Sequence, residues 1–126
     1  MGLFNFKNKK ESSPSFINWI PLNSSQELEE IKKQSTNESI LIFKHSTRCG
    51  ISSMVKRQFE KLFTEEHQQL KVYYLDLLNY RDISNKIAED FQVMHQSPQL
   101  LIIKNEMTVY NASHYDITET DLTRFL

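Results

Sequence analysis

One cysteine stands among the 126 residues, in the stretch HSTRCGISS that runs from His45 to Ser53. Cys49 follows Arg48 and precedes Gly50, and Ser52 lies one helical turn further on, so the spacing is that of a C-x-x-C redox pair with serine in the second place. The chemistry within reach is thiol–disulfide exchange, in which a thiolate attacks a disulfide sulfur. A free thiol titrates near about 8.5, and a neighbouring cation or a helix N-terminus lowers that value. A hydroxyl at position 52 cannot resolve a mixed disulfide; it can only cap the chain locally or donate a hydrogen bond to the Cys49 sulfur. A second thiol must therefore come from outside. The competing reading is a small, inert, buried cysteine. An exposed, electropositive strand-to-helix turn favours the reactive one.

Other reactive constellations are weak. The four histidines, 45, 67, 95 and 114, show no i, i+4 pairing of a helical zinc site, so no metal is expected. His67 reads as a surface residue at a helix end. Two glycines hardly build a phosphate loop, and no Ser-His-Asp order stands out. The formal net charge of -1, from 15 basic and 16 acidic residues, gives no electrostatic case for nucleic acid or an anionic membrane. No apolar run approaches the roughly 20 residues of a membrane helix, and no secretory segment is seen. A cytoplasmic monomer, in a compartment that keeps thiols reduced, is the expectation.

The elements that must position Cys49 follow from periodicity. Residues 1–13 read as a flexible N-terminal tail, basic and then polar, and residues 14–126 as one domain. Gly2 invites a myristoylation reading, but Phe6 stands where that motif needs Ser or Thr. SFINWIPL is apolar enough for a first strand, closed by Pro21. NSSQELEEIKK is a helix, with Ser24 and Glu27 at capping-box spacing and Leu28 and Ile31 facing inward. SILIFKHS is a continuous apolar strand, as for one covered on both faces. From Gly50 the apolar residues Ile51, Met54, Val55, Phe59, Leu62 and Phe63 recur at helical offsets. KVYYLDLL is a third strand, and DISNKIAEDF a helix with Ile83, Ile87 and Phe91 on one side. QLLIIKN and MTVYNAS form a hairpin around residues 104–106. TETDLTRFL predicts a last helix, capped by Thr118, with Leu122, Phe125 and Leu126 inward.

The order β-α-β-α-β-α-β-β-α implies parallel, right-handed early crossovers and an antiparallel late edge, hence an α/β class with a central mixed sheet and helices on both faces. That order is the thioredoxin fold's. In that fold a proline opening the fourth strand is cis and faces the active cysteine. Carried to SPQ, this implies a cis Ser97–Pro98 bond and a Ser97 backbone that pairs with a substrate peptide, although propensity alone favours trans.

The segments FKHSTRCGISSM, YYLDLLNYRDISNKIAEDFQVMHQSPQLLIIKN and NASHYDI resemble the monothiol bacilliredoxins, YtxJ-type bacillithiol-system proteins of the thioredoxin superfamily. They span about residues 40 to 117 in order and spacing. The resemblance implies removal of bacillithiol, or a similar small thiol, from mixed disulfides on client proteins. Cys49 would be the nucleophile, supported by Thr47, Arg48, Gly50, Ser52, Ser97 and Pro98. Bacillithiol would be a co-substrate, with no tightly bound cofactor. Because it carries a malate carboxylate pair, Arg48, Lys44, His45, Ser113 and His114 are candidates to bind it. The family usually has proline after the cysteine; Gly50 departs from that and loosens the turn.

Two other functions compete. Cys-Gly-Ile-Ser is close to the Cys-Gly-Phe-Ser of monothiol glutaredoxins, which carry an iron–sulfur cluster with glutathione. Their Gly-Gly-x-Asp turn is missing here, where the sequence reads NASHYDIT. The third reading is a non-catalytic thioredoxin-like module that holds a partner on the Cys49 and Pro98 surface.

Overall fold

The structure is a computed structural model that describes residues 15–126. The expected tail over residues 1–13, and the Gly2 segment with it, lies outside the described residues.

A five-stranded sheet has the order β1-β3-β2-β4-β5. The strands are β1 (Trp19–Pro21), β2 (Ile40–His45), β3 (Lys71–Asp76), β4 (Gln99–Lys104) and β5 (Met107–Ser113). β3 runs parallel to both β1 and β2, whereas β4 is antiparallel to β2 and β5. The helices are α1 (Ser25–Gln34), α2 (Gly50–Lys61) and α3 (Arg81–Asp90). Alternation along β2 divides the core, because successive side chains point to opposite faces. Ile40 and Ile42 join Leu28, Ile31, Ile83, Ile87 and Phe91 beneath α1 and α3. Leu41 and Phe43 join Val55, Phe59 and Phe63 beneath α2. This is the thioredoxin fold expected from the element order.

The local signals explain the elements. The Ser24 hydroxyl accepts from the Glu27 amide at 3.2 Å, and the Glu27 carboxylate accepts from the Asn23 amide at 2.7 Å, so the capping box closes one residue early. The β4–β5 hairpin turns at Asn105 and Glu106, both with positive φ, 53° and 62°. Their amides donate to the carbonyl and hydroxyl of buried Ser35, at 2.7 and 2.9 Å, which docks the turn on the end of α1. Trp19 lies edge-on to Phe43, with ring centroids 5.6 Å apart, and its indole donates to Glu60 at 2.6 Å, fixing α2 over the sheet.

Two expectations change. The first strand is confined to three residues, Trp19–Pro21, at the sheet edge. The last element is two 3-10 segments, His114–Glu119 and Leu122–Phe125, and not an α-helix. His114 enters with φ 56°, and Thr118 and Thr120 donate to carbonyls of the preceding turn, Tyr115 at 2.7 Å and Ile117 at 2.8 Å. Such hydroxyl bonds compete with an α-helical ladder, and a segment this short gains little from helix propagation. Thr118 caps nothing, and Leu126 is exposed, while Ile117 and Leu122 reach the core beneath α2.

Candidate functional site

The parallel strands direct their C-terminal ends to one edge of the sheet, where β2 hands over to α2. His45 ends β2, the chain turns through Ser46, Thr47 and Arg48, and Cys49 is the N-cap residue of α2. The Cys49 amide donates to the Ser46 carbonyl at 3.2 Å, and the Cys49 carbonyl accepts the first helical bond, from Ser53, at 3.1 Å. The thiol is half-buried, with Thr47, Arg48 and Gly50 exposed around it. Helix N-termini present unpaired amides and the positive end of the dipole, and Cys49 stands at that end of α2.

Ser52 is fully buried and turned inward. Its hydroxyl lies 2.7 Å from His45 Nδ1 and accepts from the Ser46 amide at 3.1 Å. Among the described residues no hydrogen bond joins it to Cys49, so of the two roles open to this serine, a local bond or a bond to sulfur, the structure shows the local one. Ser52 instead ties the start of α2 to the end of β2 and so holds the turn that carries the cysteine.

His45 and Lys44 are both corrected as candidates for contact with a dissolved thiol. His45 is 6% exposed and Lys44 has no exposed surface. Burial and the Lys56 charge hold His45 below the usual imidazole range. Lys44 points to the other face, where burial pushes its ammonium down to about 8. There Nζ donates to the Ser84 carbonyl at 3.3 Å and stands 3.3 Å from His95 Nδ1.

The Ser97–Pro98 bond is cis, as the fold implied. Pro98 is buried, and the Ser97 hydroxyl is buried without a hydrogen-bond partner. Ser113 pairs with Gln99, and the His114 amide donates to the Pro98 carbonyl at 3.0 Å. The 3-10 segment that begins at His114 packs against α2. The fold therefore brings Ser113 and exposed His114 to the proline loop.

Sequence reasoning assigned no role to Ser84, His95 or Gln99, which surround this loop. The Gln99 amide donates to the Met94 carbonyl at 3.0 Å and its oxygen accepts from the Gln96 amide at 3.4 Å. It also misplaced His67, which is 6% exposed. That ring accepts from the Thr64 amide at 3.0 Å and reaches the Thr123 hydroxyl at 3.1 Å, pinning the chain end. Among the described residues no group of three His, Cys, Asp or Glu is placed to hold a metal ion. No described helix is long and apolar enough to cross a membrane.

Comparison with known proteins agrees with this geometry. A solved thioredoxin-fold structure described as a candidate oxidoreductase is 34% identical, covering 84% of this chain and 91% of its own, with a TM-score of 0.71. The thioredoxin of Malassezia sympodialis superposes with a TM-score of 0.72 at 15% identity, over 92% of this chain and 97% of that one. The Schistosoma mansoni thioredoxin gives 0.68 at 19% identity, over 90% and 100%. At those identities the two thioredoxins speak for the fold alone. The family model of the monothiol bacilliredoxin BrxC matches residues 20–122, from the first strand through Cys49 and Pro98 to the last 3-10 segment. With its single cysteine at the head of α2 and a serine in the second position, the chain belongs to the monothiol bacilliredoxin BrxC family.

Proposed function

We propose that this protein is a monothiol oxidoreductase that strips bacillithiol from mixed disulfides on client proteins. The observation that carries the reading is the pairing of a half-exposed Cys49 at a helix N-cap with a buried Ser52 whose hydroxyl is engaged internally. The Cys49 thiolate attacks the bacillithiol sulfur of the mixed disulfide. The client leaves as a thiolate and takes up a proton, while Cys49 becomes the new mixed disulfide. A second bacillithiol, as thiolate, attacks that bond, releasing the symmetric bacillithiol disulfide and restoring Cys49. One disulfide is broken and one formed in each step, so the reducing equivalents come from the small thiol.

The carboxylates of bacillithiol call for cations or donors beside the sulfur. Arg48 is exposed next to Cys49, and Ser113 and His114 flank the proline loop. The expected partners are S-thiolated proteins met by a cytoplasmic monomer. The test is release of bacillithiol from a modified client by the wild-type protein, Cys49→Ser and Ser52→Ala. Wild type turns over, Cys49→Ser is inactive and Ser52→Ala keeps exchange chemistry. Turnover that survives loss of Cys49 refutes the reading.

A further inference from the structure

The end of β2 carries a second buried basic group that the exchange chemistry does not use. Lys44 has no exposed surface, and among the described residues no carboxylate lies within ion-pair distance of it. Burying an ammonium without a counterion is among the costliest choices open to a small domain. Packing does not demand it, because Ile40 and Ile42 fill the same face of the strand with apolar side chains.

What Lys44 touches is the loop before the cis proline. Its Nζ stands 3.3 Å from Nδ1 of His95, in the sequence His95-Gln96-Ser97-Pro98. An ammonium only donates, so Nδ1 accepts in this contact, which leaves a neutral ring with its proton on Nε2. The Ser84 hydroxyl is 3.4 Å from the same nitrogen, and Lys44 also donates to the Ser84 carbonyl. β2, α3 and the 94–97 segment thus meet at one point. The segment has little else to hold it: Met94 is 82% exposed, the Ser97 hydroxyl lacks a partner, and Gln99 bonds it at 3.0 and 3.4 Å.

We propose that Lys44 is a positioning residue: its ammonium clamps His95 and thereby holds segment 94–97 in the shape that receives the disulfide-bearing chain opposite Cys49. The clamp is read from geometry alone, whereas its effect on turnover rests on the exchange function proposed above. Lysine is kept at this buried place for the loop and against the stability of the domain.

The test compares wild type, Lys44→Met and His95→Ala by hydrogen–deuterium exchange of the 94–97 amides, thermal melting and kinetics on a bacillithiolated peptide. In both variants the 94–97 amides exchange about tenfold faster and KM for the peptide rises about tenfold with kcat little changed, the worth of one charge-assisted hydrogen bond. Lys44→Met also melts above wild type, which loss of a merely structural side chain would not produce. Unchanged protection of the 94–97 amides in Lys44→Met overturns the clamp, and a melting point below wild type overturns the claim that the lysine is kept against stability. If Lys44→Met does not fold, unchanged protection in His95→Ala, at a half-exposed position, overturns it equally. A wild-type protein without turnover defeats the exchange function, while the amide protection still decides the clamp.

Discussion

Lys44 and His45 are neighbours on β2 and equally hidden, yet they are buried on different terms. His45 faces α2, is held in its neutral form and meets a hydroxyl 2.7 Å away. Lys44 faces α3, is cationic at neutral pH and meets only a carbonyl and an imidazole nitrogen, each at 3.3 Å. A neutral ring with a hydroxyl partner adds to the fold, because each group satisfies the other. An ammonium facing neutral acceptors subtracts from it, because the lost hydration is not repaid by an opposite charge. One side of the strand is therefore optimised for stability, under the cysteine turn. The other side carries strain of an electrostatic kind, under the proline loop.

The largest effect expected from breaking this contrast is at Lys44. Lys44→Met should raise stability near pH 7 by about 2–3 kcal/mol, read from denaturant midpoints. Burial holds the folded-state pKa at about 8, below the ordinary lysine value of 10.5, so between those values the unfolded chain binds more protons. Wild-type stability then rises with pH through that window, and the advantage of Lys44→Met shrinks toward its upper end. A gain that is independent of pH would mean that charge is not its source. His95 is the main titratable neighbour and Arg81 the nearby cation on α3; both add positive charge or none, so neither offsets the ammonium.

On the opposite side the sign reverses. Ser52→Ala leaves the Ser46 amide and His45 Nδ1 without their common partner, and should cost about 1–3 kcal/mol. Denaturant unfolding that moves the midpoint down at constant slope would confirm it. Shifts of opposite sign at two positions so near each other would establish that the strand is divided as described.

A smaller effect belongs to Gly50. A Cβ added there meets nothing within 4 Å, and Gly50 is the first helical residue, where proline is well tolerated. Cys49 has φ -107° and ψ 119°, the extended backbone that a following proline requires. Gly50→Pro should therefore stabilise the protein by roughly 0.5–1 kcal/mol, through the unfolded chain. A side chain begun at this position meets no obstacle, so the glycine loosens the unfolded chain more than the folded turn. The smallest expected change is local: burial, Lys44 and Arg81 together hold His95 below its ordinary range, and in Lys44→Met its pKa rises part of the way back, measurable from its ring proton shifts.

The fold was legible because its signals are local. The run Ile40–Phe43, the Ser24–Glu27 cap and the helical spacing of Val55, Phe59 and Phe63 each report on their own neighbourhood. Cys49 was legible for the same reason, since a strand-to-helix turn can be read from a dozen residues. The C-terminal helix was misread because Thr118, Thr120 and the left-handed His114 redirect the backbone by side-chain bonding and conformation that periodicity does not register. Lys44 was misread for a different reason. A lysine after an apolar run looks like the solvated end of a strand, and nothing nearby in sequence reveals that His95, 51 residues away, closes over it. The cis state of Ser97–Pro98 came from the fold and not from residue preference.

In the proposed cycle Cys49 acts alone and hands its second step to a small thiol. The direct measurement is intact-protein mass spectrometry after mixing the reduced protein with a bacillithiolated client and no free bacillithiol. One bacillithiol is expected on Cys49, stoichiometric with the client thiol released, stable until free bacillithiol is added and absent in Cys49→Ser. A client that keeps its bacillithiol while Cys49 stays reduced would contradict it.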